Sequence, residues 1–255
     1  MVNKNTFIKC FAVILAFLII LPALSLAKEK NKDNRELDVD GTPLPAGVKY
    51  KAFVHYPGKQ QPVLPACSPT TNDQVSDYGA VGWKLTGPRV YRLNESTVPR
   101  NLNIAGVYSA INTSWNTWNS ADANILVSKG NQTLVKKPKY DGVNLLAWGA
   151  VPNNAIAVTY TWYNPSTGAQ LESDVIFNSR LKWSNTPYSS DCGGVAGTYD
   201  FGSIAVHEFG HWVGLDDLYA DADKDLTMYG YGFTAELKKD TLGLGDILGA
   251  SAITP

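Results

Sequence analysis

Residues 207–217 read HEFGHWVGLDD, and this run constrains the chain more than any other. Two histidines four apart face the same side only if the run is helical. At 3.6 residues per turn, His207 and His211 then stand one above the other, with a spacing that suits one tetrahedral metal ion. Glu208 lies about a third of a turn round the helix, where its carboxylate reaches a water on the metal and not the metal itself. A catalytic zinc usually takes three protein ligands, so a third must come from further along. Gly214 can adopt the left-handed backbone that stops a helix and turns the chain back. Asp216 and Asp217 follow it, and either could then return to the ion. Upstream, Asp200 or Ser203 can cap the helix, while Ile204, Ala205 and Phe209 supply its buried side.

The rest of the chain bounds what such a site can serve. The 255 residues are 44% hydrophobic, enough for a real core, and one compact domain is the first expectation. A net charge of -1 offers no strong field for nucleic acid or anionic lipid, so neither is expected as a partner. Lys4 and Lys9 precede the apolar run CFAVILAFLIILPALSLA, which closes on small residues at Ser25 and Ala27. This is the pattern of a signal peptide over residues 1–27, predicting export and no stable membrane partner after cleavage. Cys10 leaves with it. Cys67 and Cys192 are then an even pair in an oxidising compartment, and one disulfide between them is the simplest expectation.

Residues 28–47 are charged, poor in aromatics and closed by prolines, the composition of a mobile pro-segment or linker. From Lys49 to Gln74 the text is Pro-rich with scattered apolar residues, suiting at most an extended strand on the surface. The expected division is therefore a signal peptide at 1–27, a pro-segment or N-terminal extension at 28–77, and a catalytic domain at 78–255. Within the last, RVYRLN (89–94) alternates as a strand does, and Ile104, Tyr108, Ile111, Trp115 and Trp118 recur at helical spacing. NLLAWGAV (144–151), AIAVTYTWY (155–163) and SDVIFN (173–178) read as strands, the last two antiparallel neighbours around a turn marked by Pro165 and Gly168.

His207, Glu208, His211, Gly214 and Asp217 together spell HExxHxxGxxD, which resembles the long zinc signature of the metzincin metallopeptidases, with aspartate where most members carry a third histidine. Met228 in DLTMYGY stands where that family has its Met-turn. The stretch AVTYTWYNPSTGAQLESDVIFN resembles the edge strand, turn and next strand of the matrixin branch, and KKDTLGLGDILGASAI its C-terminal helix. The resemblance covers about residues 83–255, and aspartate-ligand sites of this kind occur in the snapalysins.

A matrixin-like metzincin implies an α+β domain: a twisted, mostly parallel sheet with an antiparallel edge strand, an active-site helix and a C-terminal helix. It also implies a secreted, monomeric zinc endopeptidase acting on proteins or peptides. One catalytic Zn2+ would be held by His207, His211 and Asp217, and Glu208 would act as general base on the zinc-bound water. The family spacing favours Asp217 over Asp216, whose place would then be on the surface or beside a ligand. A carboxylate ligand lowers the charge of the site, so the activity optimum is expected near or above neutral pH, with metal loss on mild acidification.

Strand 155–163 would be the exposed edge along which an extended substrate pairs. His55 is the only histidine outside the helix, so a His-rich structural zinc site cannot be built. The acidic run DADKD (221–225) lacks the Gly and Glu of an EF-hand, and is expected as a solvated loop with Ca2+ the lesser reading. Cys67 lies where a zymogen's cysteine switch would lie, an alternative to the disulfide. The rival functions are a catalytically silent secreted binding module on the same fold, and a non-peptidase zinc hydrolase.

Overall fold

Strands buried on both faces form the centre of the molecule, which is described by a computed structural model over residues 35–59, 72–121, 125–186 and 193–253. The strands are β1 (Lys49–Pro57), β2 (Gly79–Ala80), β3 (Arg89–Leu93), β4 (Val127–Lys129), β5 (Asn144–Gly149), β6 (Ala157–Asn164), β7 (Ala169–Asn178), β8 (Trp183–Ser184), β9 (Tyr199–Asp200), β10 (Leu215–Asp216) and β11 (Tyr231–Gly232). The α-helices are α1 (Ile104–Asn119), α2 (Phe201–Val213) and α3 (Leu244–Ile253). Seven strands form the main sheet in the order β11-β1-β6-β7-β5-β3-β4. Four of its pairings are parallel; β6 runs antiparallel to both β7 and β1. The fold is thus α+β with a mostly parallel sheet. The signal segment, Cys67 and Cys192 lie outside the described residues, and with them the disulfide and switch expectations.

The expected edge strand is corrected. β6 is antiparallel, as its sequence suggests, but it is interior, because β1 pairs with it from Lys49↔Tyr163 to His55↔Ala157. Residues Arg35–Pro255 form one compact unit, and β1 belongs to it. The segment read as mobile is also anchored over its described part. Asp38 is buried and accepts hydrogen bonds from the Trp162 indole and the Tyr140 amide, while Leu44 packs with Trp162. A buried carboxylate is tolerated only with such donors, and the composition of 28–47 gives no sign of them.

Beneath the sheet α1 and α2 pack through aromatic faces. The Trp115 ring stacks on Phe209 at 4.1 Å, and the Trp118 indole donates to the Val206 carbonyl at 2.7 Å. Val107, Ile111, Trp115 and Trp118 are the buried apolar positions of α1, so its inner face is centred one residue before Tyr108. Burying each such side chain contributes about 2 kcal/mol. The Asp200 carboxylate caps α2 through the Ser203 amide. Every residue of the helix but Gly202 is buried, as expected of an element covered on all sides by sheet and helices.

Candidate metal centre

Gly214 ends α2 with φ 123°, and a Cβ there would stand 2.3 Å from the Trp83 carbonyl oxygen, so only glycine fits on both counts. The reversal pairs β10 with β2 and returns the chain over the helix. Asp217 Oδ1 then lies 3.2 Å from His207 Nε2 and 3.6 Å from His211 Nε2. Asp216 points elsewhere, its Oδ2 2.7 Å from Lys51 Nζ. The geometry therefore brings Asp217 and not Asp216 to the imidazoles.

A tetrahedral zinc with bonds of about 2.1 Å separates its ligand atoms by about 3.4 Å, and the two distances above bracket that value. The donor chemistry fits as well. His207 Nδ1 lies 2.7 Å from the Thr227 carbonyl and His211 Nδ1 2.9 Å from the Leu215 carbonyl. A carbonyl only accepts, so in each neutral ring the proton sits on Nδ1 and the Nε2 lone pair is bare. Both Nε2 atoms and Asp217 Oδ1 are buried without a hydrogen-bond partner. Three orphaned polar atoms converging on one point are what a bound cation would satisfy.

Glu208 is fully buried. Its Oε2 accepts from the Thr159 hydroxyl at 2.5 Å, and its Oε1 is 3.3 Å from His55 Nδ1. In the chain alone, burial pushes its carboxyl up to about 8; the Thr159 hydroxyl opposes the rise and Asp217 adds to it. Burial would raise Asp217 too, but His211, His207 and the Tyr219 hydroxyl outweigh it and hold the carboxyl near 2. His211 is pushed down to about 4, chiefly by burial. Its neutral, ligating form thus persists further into acid than that of an exposed histidine.

Met228 is buried against α2: a Cβ on Gly210 would meet its sulfur at 2.2 Å. The turn that carries it is held by Asp246 of α3, which accepts from the amides of Thr227, Met228 and Gly243. The acidic run needs a further correction. Asp223 and Asp225 are buried, not solvated. Among the described residues, two groups bring potential ligand atoms within 4.8 Å of one another, His207–His211–Asp217 and His55–His207–Glu208, and residues 221–225 contribute to neither.

His55 is the residue the sequence reading undervalued. Its ring lies 3.9 Å from that of His207, and two positions earlier on β1 the Phe53 ring stacks on His211 at 4.0 Å. The signal was present in KYKAFVHYP, whose period-2 pattern puts Lys51, Phe53 and His55 on one side.

Two imidazoles on adjacent helical turns, a carboxylate returned by a glycine reversal and a second carboxylate beside them define a candidate metal centre. No family model matches the chain. Over 157 residues it is 25% identical to a protein of the fungus Verticillium alfalfae named extracellular metalloprotease, an alignment taking in 60% of this chain and 48% of that protein. The chain thus spans about half the length of the curated relative it matches.

Proposed function

We propose that the protein is a secreted zinc endopeptidase of the matrixin-like metzincin type, with Asp217 as the third ligand beside His207 and His211. The observation that carries this is the convergence of three buried, unpartnered donor atoms at separations suited to one zinc ion. The similarity to an extracellular metalloprotease supports it, and the apolar leader supports export. No helix among the described residues is long and apolar enough to cross a membrane.

Zinc, when bound, would polarise a scissile carbonyl and make the attacking water a stronger acid. The chain's own part is proton handling. Glu208 takes a proton from the attacking water and hands it to the departing amine, while the Thr159 hydroxyl fixes one carboxylate oxygen. Its buried surroundings favour holding that proton until the amine needs it.

Metal analysis beside peptidase assays tests the assignment. Glu208→Ala is expected to keep stoichiometric zinc and lose about 10²–10⁴-fold in turnover. Asp217→Ala is expected to lose both metal and activity. Zinc retained in full by Asp217→Ala would overturn the ligand set.

One observation favours the rival reading of a catalytically silent binding module: His207, Glu208 and His211 are all fully buried, so no substrate reaches them in this conformation. Absence of peptidase activity in zinc-loaded protein, whatever the state of β1, would favour that module.

A further inference from the structure

β1 is one of the elements that cover the candidate centre. β1 fills the face of β6 along which an extended polypeptide would pair. It runs antiparallel to β6 from Lys49 to His55, then parallel to β11 at Tyr56 and Pro57. Its inward side chains fall in turn on the candidate centre. Lys51 Nζ binds Asp216, the neighbour of the third ligand, at 2.7 Å. Phe53 stacks on His211 at 4.0 Å and is edge-on to Trp83. His55 lies over His207 and brings Nδ1 to 3.3 Å from Glu208 Oε1, the carboxylate oxygen that Thr159 leaves open. Along one side β1 thus meets the His211 ring, Glu208 and Asp216 with a ring, an imidazole and a cation.

We propose that β1 is a built-in inhibitory strand: it occupies the substrate's place along β6 and ties up Glu208 through His55, so that hydrolysis requires β1 to leave. This rests on the endopeptidase reading and names the regulation of that same site. It also assigns a natural peptide ligand to the β6 face, an extended segment with an aromatic residue two positions before a histidine.

The test uses the full-length protein loaded with zinc. The triple variant Lys51→Ala/Phe53→Ala/His55→Ala is expected to keep zinc, cleave an extended fluorogenic peptide at least tenfold faster than wild type, and lose hydrogen-exchange protection along β6. Zinc extraction by a chelator should accelerate in parallel. A synthetic peptide of residues 49–57 added to the triple variant is expected to inhibit it competitively and to slow extraction again, whereas a scrambled peptide does neither.

A folded, zinc-loaded triple variant that turns over no faster than wild type overturns the proposal. So does a His55→Ala single variant whose kcat falls below that of wild type, because His55 would then serve catalysis. Should the triple variant fail to fold, Lys51→Glu decides the matter: it replaces a partly exposed ion pair with repulsion, and extraction and turnover should both rise at least twofold. No change in either overturns the strand's role. Wild-type protein that binds no zinc overturns the endopeptidase reading instead, whereas wild type that holds zinc and is fully active with β1 still protected overturns only the inhibitory strand.

Discussion

The stretch 200–217 and strand β1 both bring histidine to the same point by opposite means. In the first, the spacing of the groups is local. A capped helix sets His207 and His211 one turn apart, Gly214 reverses the chain, and the Leu215 carbonyl accepts a hydrogen bond from His211 Nδ1 four residues away. In the second, His55 reaches Glu208 only because the whole of β1 pairs with a strand far along the chain. The two kinds of imidazole are also wired differently. Those of α2 point Nδ1 at backbone carbonyls and His55 points Nδ1 at a carboxylate, while all three keep Nε2 without a hydrogen-bond partner. Carbonyl and carboxylate both accept, so what sets His55 apart is the identity of its partner: Nδ1 meets Glu208, the base proposed above, and not a main-chain group.

Breaking the local arrangement should have the largest effect. Gly214→Ala places a methyl group 2.3 Å from the Trp83 carbonyl oxygen in a backbone region costly to L-residues, and should destabilise the fold by about 3 kcal/mol or more. Because the reversal delivers Asp217, zinc affinity should fall with it. Urea denaturation and zinc titration of the variant test both, and an unchanged midpoint with full zinc binding would show that the turn does not depend on glycine.

The next effect separates the buried histidines from exposed ones. Burial holds His211 at about 4 and His55 well below the ordinary 6.5. Both therefore bind fewer protons folded than unfolded. Their contribution to the stability of metal-free protein is present above pH 6.5 and is lost as pH falls through that value towards 4, with a slope of up to about 1.4 kcal/mol per pH unit for each ring. Buried carboxyls such as Glu208, held up to about 8, act in the opposite direction, so the histidine effect is read as a difference: between pH 7 and 5 the denaturant midpoint of metal-free His55→Asn should gain on that of wild type as pH falls. A constant difference between the two proteins across that range would mean that the His55 ring is solvated in solution.

The difference between the regions also explains what could be read beforehand. Spacing carried the juxtaposition of His207 and His211 and the glycine reversal, since each depends on residues within one or two helical turns, whereas the preference for Asp217 over Asp216 came from the family resemblance. The local pattern also located four strands, by alternation in β3 and by strand-like apolar stretches in β5, β6 and β7. It could not tell that β6 is interior, because an edge strand and a central strand share the same period and differ only in whether a distant segment arrives. KYKAFVHYP carried the right alternation but was flanked by charged and Pro-rich text, which hid it. Asp38 and Asp223 were misread for a related reason: a carboxylate's burial depends on donors supplied by tertiary neighbours, and composition sees only the charge.

The smallest effect concerns the one ion pair joining the two regions. Lys51 and Asp216 meet at 2.7 Å, but their side chains are 40% and 38% exposed, so water screens them. Such pairs contribute about 0–1 kcal/mol. Asp216→Ala should therefore shift stability by less than about 1 kcal/mol, and it should leave zinc content unchanged, in contrast to Asp217→Ala. Raising salt should weaken the wild-type pair and leave the variant unaffected. If Asp216→Ala instead removed the metal, the carboxylates would have exchanged roles, and the adjacent-residue ambiguity in HEFGHWVGLDD would be resolved the other way. If it destabilised the fold as severely as Gly214→Ala, β1 would be held chiefly by charge at its Lys51 end, and not by the Phe53 and His55 rings packed against the helix histidines.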